Sequence, residues 1–449
     1  MGTTVTEKDK AHFLNDMDRL AVRQAPPHIH GIRQSGTAAF LTMDYPHSRM
    51  ETWRHTNVGP LLRIPWASLV EAPRAAVDES TVHTLLPPDE MPIRLVFTEG
   101  FFCPALSRTP ELPGPAWVGS LASPTHGAAE AQLRAVLEAS PPPKHVFDAL
   151  NSAFLQDGPM ILLPDNCTLD TPVHVVFVTG ARPPRSAAHL RTVIGLGANA
   201  SAHIVLHHVA LAGVGEYFNN HVETMDLGAG ASLERTEIIH EGAEGYRMAL
   251  AHARLDRDSR LQSCVMTCDG GAITRNEINV RLRGPHAEAQ LHGLYLNRRR
   301  GLIDNNLSIA HLAPHGVSRM RYKGILGDSS HSVFRGMVYV AQDAQKTDSQ
   351  QLNANLALSD KARVDAKPQL EIYADDVRCT HGATVGGPPE DQVFYLRSRG
   401  LSVRAARALL TLGFARDAAE HIPDAATRRH MLRFLHARLT PGQRAIPEA

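Results

Sequence analysis

The chain has 449 residues, with 46 Lys and Arg against 46 Asp and Glu and only five cysteines. That length holds two or three domains and a large core, and the balanced charge excludes a net field that would draw nucleic acid or an anionic membrane. Few and odd-numbered cysteines argue against a secreted disulfide framework. MGTTVTEKDK lacks an apolar signal segment and no run approaches 18 apolar residues, so a cytoplasmic protein is expected. Met1-Gly2 with Thr6 fits a loose myristoylation pattern that nothing else supports.

Three textures follow one another. Residues 1–155 read as a helical and mixed domain. Phe13, Met17, Leu20 and Gln24 keep helical spacing, Glu130 to Ala139 is a second helical patch ended by Pro141-Pro142-Pro143, and Phe147, Leu150 and Phe154 mark a third. His28-Ile29-His30 directly follows Pro26-Pro27 and is expected in a solvated loop. Residues 156–387 carry short β-rich runs, among them Val173–Thr179, His203–Val209, Leu233–Ile239, Gln290–Leu296 and Val333–Val340, punctuated by Gly, Asn and Asp turns. A turn followed by alternation recurs at Ala200, Ala231, Ser259, Ala287, Ser330 and Ala362, in steps of 31, 28, 28, 43 and 32 residues. Steps of that kind suggest a solenoid of stacked rungs, with the long step holding an extra rung or loop around HLAPHGVSRMRY; a β-sandwich is the alternative on periodicity alone. Residues 388–449 are helical. Pro388-Pro389-Glu390-Asp391 opens a helix that Gly400 closes, Ser402 caps a second with Val403, Ala406, Leu410 and Phe414 on one face, and Pro423-Asp424 starts a third through Met431, Leu435 and Leu439, stopped by Pro441-Gly442. These helices either cap the end of the solenoid or present a docking surface.

Most chemical signatures are absent or weak. No P-loop, HExxH or GxSxG occurs, and GLGANA reads as a β-turn. His311 and His315 straddle Pro314 and are not expected to share a metal. Arg298-Arg299-Arg300 reads as a solvated turn, and Cys264 and Cys268 as buried apolar filler. Asp375-Asp376, adjacent on a strand, would point to opposite faces and so cannot act as paired carboxylates on one substrate. Cys379-Thr380-His381 is different. Thiolate and imidazole suit soft and borderline metals, and two residues apart on a strand they share a face. Two ligands do not complete a metal site, so the remainder would come from a second chain.

The strings TDSQQLNANLALS, KPQLEIYADDVRCTHGATVG, VFYLRSRG and ARALLTLGFA, with RMETWRHT at 49–56, resemble the SufB/SufD family of iron–sulfur cluster assembly proteins from about Asp44 to Ile422. Cys-Thr-His at 379–381 is similar to the SufD branch rather than the SufB branch; Gly387-Pro388-Pro389 departs from the acidic loop more common there. The resemblance implies a mainly β fold, a right-handed parallel β-helix flanked by N- and C-terminal helical domains. It implies a non-enzymatic subunit that pairs with SufB, docks the SufC ATPase through the C-terminal helices (Tyr395, Leu396, Arg399, Arg407, Leu410 and Phe414), and places Cys379 and His381 at the SufB interface, where iron or a transient cluster forms as ATP hydrolysis moves the subunits. Reduced flavin is linked to such complexes, but no dinucleotide motif supports a site here. A homodimer of the isolated chain, a homomeric scaffold without partners, and a carbohydrate-active β-helix enzyme are the other readings.

Overall fold

The computed structural model describes residues 10–23, 26–72, 77–85, 91–123, 125, 127–180 and 182–440; Met1-Gly2, Thr6, Gln24 and Pro441-Gly442 lie outside the described residues. The chain from Pro159 to Gly386 winds into a parallel β-solenoid of about eight turns. Each turn adds one strand to each of two sheets. The first sheet contains Pro159–Leu163, Ser186–Leu196, Tyr217–Leu227, Gly245–Leu255, Ile273–Leu282, Leu302–His311, His331–Val340 and Arg363–Ile372. The second contains Thr168–Thr179, Ser201–Ala210, Ser232–Glu241, Arg260–Gly270, Glu288–Asn297, Val317–Leu326, Asp348–Ala357 and Arg378–Gly386. The antiparallel pairings lie at the first-rung end, Trp117–Ser120 on Pro159–Leu163 and Phe101–Phe102 on Ile93–Thr98.

Two strands per turn explain the irregular step in the sequence. Ala200, Ala231, Ser259 and Ala287 precede strands of the second sheet, whereas Ser330 and Ala362 precede strands of the first. The 43-residue step is therefore one and a half turns, and HLAPHGVSRMRY is the end of one strand, a turn and the start of the next rather than an inserted loop. Strands such as Ser186–Leu196 are buried along their whole length, on both faces. They show no alternation to read, because helices cover their outer side.

Both outer faces are covered, by different parts of the chain. Helices Ala11–Ala21, Pro27–Thr42 and Val146–Ala153 bring Phe13, Phe40, Phe147 and Phe154 against the outward Phe218, Tyr246 and Met248 of the first sheet. His28-Ile29-His30 belongs to one of these helices, not to a loop. Pro27 stands in its first turn, where a missing N–H costs nothing, and Ile29 is fully buried. Helices Val403–Ala419 and Ala425–Leu439 fold back along the second sheet rather than over the end of the solenoid. The apolar outward row Ile238, Cys264, Met266, Leu294 and Ile325 needs that cover. The buried stripe of Val403–Ala419 is made of Ala406, Thr411, Ala415, Ala418 and Ala419; Val403 faces solvent and Leu410 and Phe414 are only half-buried. Small residues let this helix lie close to the strands. Cys264 and Cys268 are the filler expected, with Cys268 Sγ 3.7 Å from Met431 Sδ.

The interior mixes apolar and charged side chains along the same strands. In the alternating file that carries Leu233 and Ile239 inward, Arg235 and Glu237 also point inward. Arg235 donates to Glu223 at 2.6 Å and to Glu237 at 2.8 Å, and Arg247 donates to Glu237 at 2.6 Å. Burial would raise the Glu237 carboxyl, but Arg235, His208 and Arg247 hold it well below its ordinary value. Nearer the last rung the lumen is filled across glycines: a Cβ on Gly293 would sit 2.3 Å from the Tyr322 ring, and one on Gly324 2.3 Å from that of Tyr295.

One short segment fastens the N-terminal region along the solenoid. In RMETWRHT, Trp53 stacks on the Arg275 guanidinium at 3.8 Å, and Arg275 bridges Glu277 and Asp304. Thr56 bonds Asp304, His55 Nδ1 lies 3.4 Å from Asp365, and Glu51 pairs with Lys367. These contacts reach from the Ile273–Leu282 strand to the last strand of the first sheet. Trp53 is buried, so Trp53→Ala should lower the unfolding free energy by about 3–5 kcal/mol, measured from urea midpoints. A loss below about 1 kcal/mol would show that the two carboxylates alone hold Arg275.

Candidate metal centre at the open end of the solenoid

The last turn is uncovered. Among the described residues no strand pairs with the outer edge of Arg363–Ile372 or of Arg378–Gly386, and almost every residue of these strands is half-exposed or exposed. Ile372, Tyr373 and Val385 are apolar side chains left in solvent there, Tyr373 at 61 %.

Cys379 and His381 lie on the last strand. In the ladder Cys379 stands opposite Ser349 and His381 opposite Gln351; one rung further in, Ser349 is opposite Ser318 and Gln351 opposite Met320. Ser318, Ser349, Met320 and Gln351 are buried and inward-facing. Cys379 and His381 therefore continue two inward files and share a face, as their spacing predicts. Cys379 is half-buried against the core, while His381 is exposed because no further rung covers it.

Polar groups lie beneath both. His311 Nε2 is 2.9 Å from Ser318 Oγ, which is 2.8 Å from Ser349 Oγ, so a hydrogen-bonded file ends under Cys379. Under His381, the Gln351 amide is 3 % exposed, and neither its oxygen nor its nitrogen has a hydrogen-bond partner among the described residues. Burial, with the Asp348 carboxylate adding to it, pushes the Cys379 thiol up, so deprotonation on metal binding has to be driven by the metal.

The C-terminal helices reach this end. A groove of about 450 Å³ at the strand edges is lined by Gln351 and His381 of the last two rungs, by Lys323 of strand Val317–Leu326, and by Asp417 and His421 of the C-terminal region. Lys323 pairs with Asp417 at 2.6 Å, and its Nζ lies over the Phe414 ring. His421 stacks on His292 with centroids 3.8 Å apart. Phe414 thus sits in the seam between helix and solenoid. Tyr395 is exposed with Arg399 stacked on it at 5.2 Å, Arg407 is exposed and paired with Glu390 at 2.7 Å, and Leu396 and Leu410 are half-buried. Phe394, 71 % exposed, is a neighbour that helical spacing did not single out.

The other sequence candidates stay apart from this site. His311 is buried and bonded to Ser318, whereas His315 stacks on His286. Asp375 and Asp376 lie in the turn before the last strand, with Asp376 paired to Lys346. Inside the solenoid His208, His221 and Glu237 bring ligand atoms within 4.8 Å of one another. Arg247 donates to both His208 and Glu237, and Arg235 to Glu237, so cationic groups already occupy that set.

Cysteine chemistry distinguishes these environments. Burial pushes Cys264 up to about 12 and raises Cys268 further, whereas Cys379 is raised but half-exposed. Iodoacetamide should label Cys379 in the native chain before Cys264 and Cys268. The Cys379 rate should rise roughly tenfold per pH unit between about pH 7 and 8.5, as the thiolate fraction grows. Peptide mass mapping reads the order, and early labelling of Cys264 or Cys268 would contradict it.

The chain matches two family models: the SUF system FeS cluster assembly SufBD core domain over residues 177–414, and the SufBD protein N-terminal region over 6–175. It is 31 % identical to an iron–sulfur cluster assembly SufBD family protein of Synechocystis, over 88 % of each chain. It is 29 % identical to the iron–sulfur cluster assembly protein SufD of Escherichia coli over 94 % of each, and 25 % to SufD of Bacillus subtilis over 64 % of this chain and 66 % of that one. The core model spans the rungs from Ser186–Leu196 onward and ends within helix Val403–Ala419, before Asp417 and His421. The chain belongs to the SufB/SufD family of the SUF iron–sulfur cluster assembly system, and is SufD-like within it.

Proposed function

We propose that this chain is a non-catalytic subunit of SUF iron–sulfur cluster assembly that pairs with SufB through the open end of its solenoid and carries the SufC ATPase on its C-terminal helices. The observation that carries this reading is the uncovered last rung. Two adjacent strand edges with unpaired backbone groups and exposed Ile372, Tyr373 and Val385 form a template for another β-solenoid end. Cys379 and His381 stand on that rung, and the unpartnered Gln351 amide lies beneath them.

Iron or a nascent cluster is the cargo of such an interface. Thiolate is the usual cluster ligand and imidazole can replace it on iron. Half a ligand set on each subunit makes assembly depend on the pair. His381, exposed, is the iron ligand or entry residue, and Cys379, half-buried with a raised thiol, supports it. Lys323, Asp417 and His421 connect the groove at His381 to the C-terminal helices, so a movement of those helices would be felt at the cargo site.

Two experiments test the two halves of the reading. In the co-expressed three-subunit complex, His381→Ala should lower copurifying iron and cluster maturation in cells severalfold without dissociating SufB; unchanged iron and maturation would remove His381 from the role. Arg399→Glu with Arg407→Glu should abolish copurification of SufC while SufB stays bound, and retained SufC would place its docking surface elsewhere. Gel filtration of the chain alone separates the homomeric reading: a stable homodimer that does not exchange for SufB would favour it.

A further inference from the structure

The two strand edges at the open end are not equivalent. In a β-strand the N–H and C=O of successive residues point to opposite edges, just as successive side chains point to opposite faces. Arg363 N donates to Ser330 O at 2.9 Å and Tyr373 N to Val340 O at 3.0 Å, and the ladder between them has no register shift. The odd-numbered residues of Arg363–Ile372 therefore bond back to the preceding rung. The even-numbered ones, Val364, Ala366, Pro368, Leu370 and Ile372, turn their backbone to the open edge. On the second sheet Arg378 N donates to Thr347 O at 2.8 Å, again in an unbroken ladder. There Cys379, His381, Ala383 and Val385 turn their backbone to the open edge.

Pro368 falls in the middle of the first sheet's outward set. Its nitrogen carries no hydrogen, and an N–H at that position would have pointed to the open edge, so the proline takes no bond from its own ladder. It does remove the central donor from the row that a partner strand would need. Lys367 beside it pairs with Glu51, and His55 reaches Asp365 on the same strand. Proline and lysine on an edge strand are among the devices by which sheets resist strand addition. The edge of Arg378–Gly386 has no proline, and its row of donors and acceptors is continuous. The residues that offer their backbone there are the ones whose side chains face the lumen, Cys379 and His381 among them.

We propose that the partner adds a strand to one edge only, that of Arg378–Gly386, and that Pro368 keeps the edge of Arg363–Ile372 from pairing. This rests on the reading above, in which a second solenoid end, that of SufB, seats on the last rung. Main-chain bonds from Cys379, His381, Ala383 and Val385 fix the strand that carries both candidate ligands against the partner. Across the first sheet the contact is made by side chains, the exposed Ile372 and Tyr373 among them. Such an interface is held along one sheet and can part along the other without breaking a ladder.

The test compares hydrogen–deuterium exchange in the chain alone and in the co-expressed three-subunit complex, read by mass spectrometry of peptides from the two last strands. Complex formation should slow exchange at least about a hundredfold at Cys379, His381, Ala383 and Val385, and less than about tenfold at Val364, Ala366, Leu370 and Ile372. Pro368→Ala restores the missing donor and should let protection spread to the first-sheet edge; no spread removes Pro368 from the role. Ala383→Pro should weaken SufB copurification at least about tenfold, because the lost donor strands a carbonyl of the partner. Ala366→Pro, the same change on the other edge, should leave copurification within about twofold. Both prolines replace N–H groups that face away from the chain's own ladder, and thermal midpoints check that each variant folds. The exchange comparison in the parent chain needs no variant. Protection of both edges, or equal losses from the two proline variants, overturns the proposal and leaves SufB pairing in place. Protection of neither edge overturns it together with the reading it rests on.

Discussion

The structure depends on parallel strand pairing between rungs. A parallel strand satisfies its backbone only through neighbours on both sides, and here each neighbour is the strand one turn earlier or later. The repeat therefore propagates until something stops it. At the first-rung end, antiparallel pairings and the N-terminal region do so. At the last rung nothing among the described residues does, and the two inward files simply surface as Cys379 and His381. The metal-binding residue types and the unsatisfied backbone share one place because both follow from where the winding ends.

The same winding accounts for the two helical regions. A two-sheet solenoid has two outer faces, and each is apolar enough to require cover. The N-terminal helices take the first sheet and the C-terminal helices take the second. Covering the second sheet brings Asp417 and His421 to the groove at His381. Helices that merely capped the end would have buried the last rung instead.

The charged interior shows how such a fold tolerates polar residues. Glu223, Arg235, Glu237 and Arg247 are buried, yet each is bonded to an opposite charge. Breaking one pair would strand the other charge, which is far costlier than the pair is favourable. Arg275, stacked under Trp53 and held by Glu277 and Asp304, applies the same logic on the outer face. It gives the 49–56 segment a physical role: Glu51, Trp53, His55 and Thr56 each reach a different partner on the stacked strands.

Much of this was legible in the sequence. The turn-and-alternation register marked four strands of the second sheet and two of the first, Ser402 and Asp424 marked two helix starts that their side chains do cap, and the spacing of Cys379 and His381 put them on one face. Strands such as Ser186–Leu196 were not legible, because burial on both sides removes alternation. Pro27 hid a helix start by looking like a loop signal. Tertiary structure alone decided that Gln351 is left unpartnered beneath His381, that the C-terminal helices run along the solenoid, and that His174 meets His207 from 33 residues away. Sequence fixes what a strand or helix presents on its own faces, since that periodicity is local. Which rung lies beside which, and where the stack ends uncovered, depends on the accumulated winding of the whole chain.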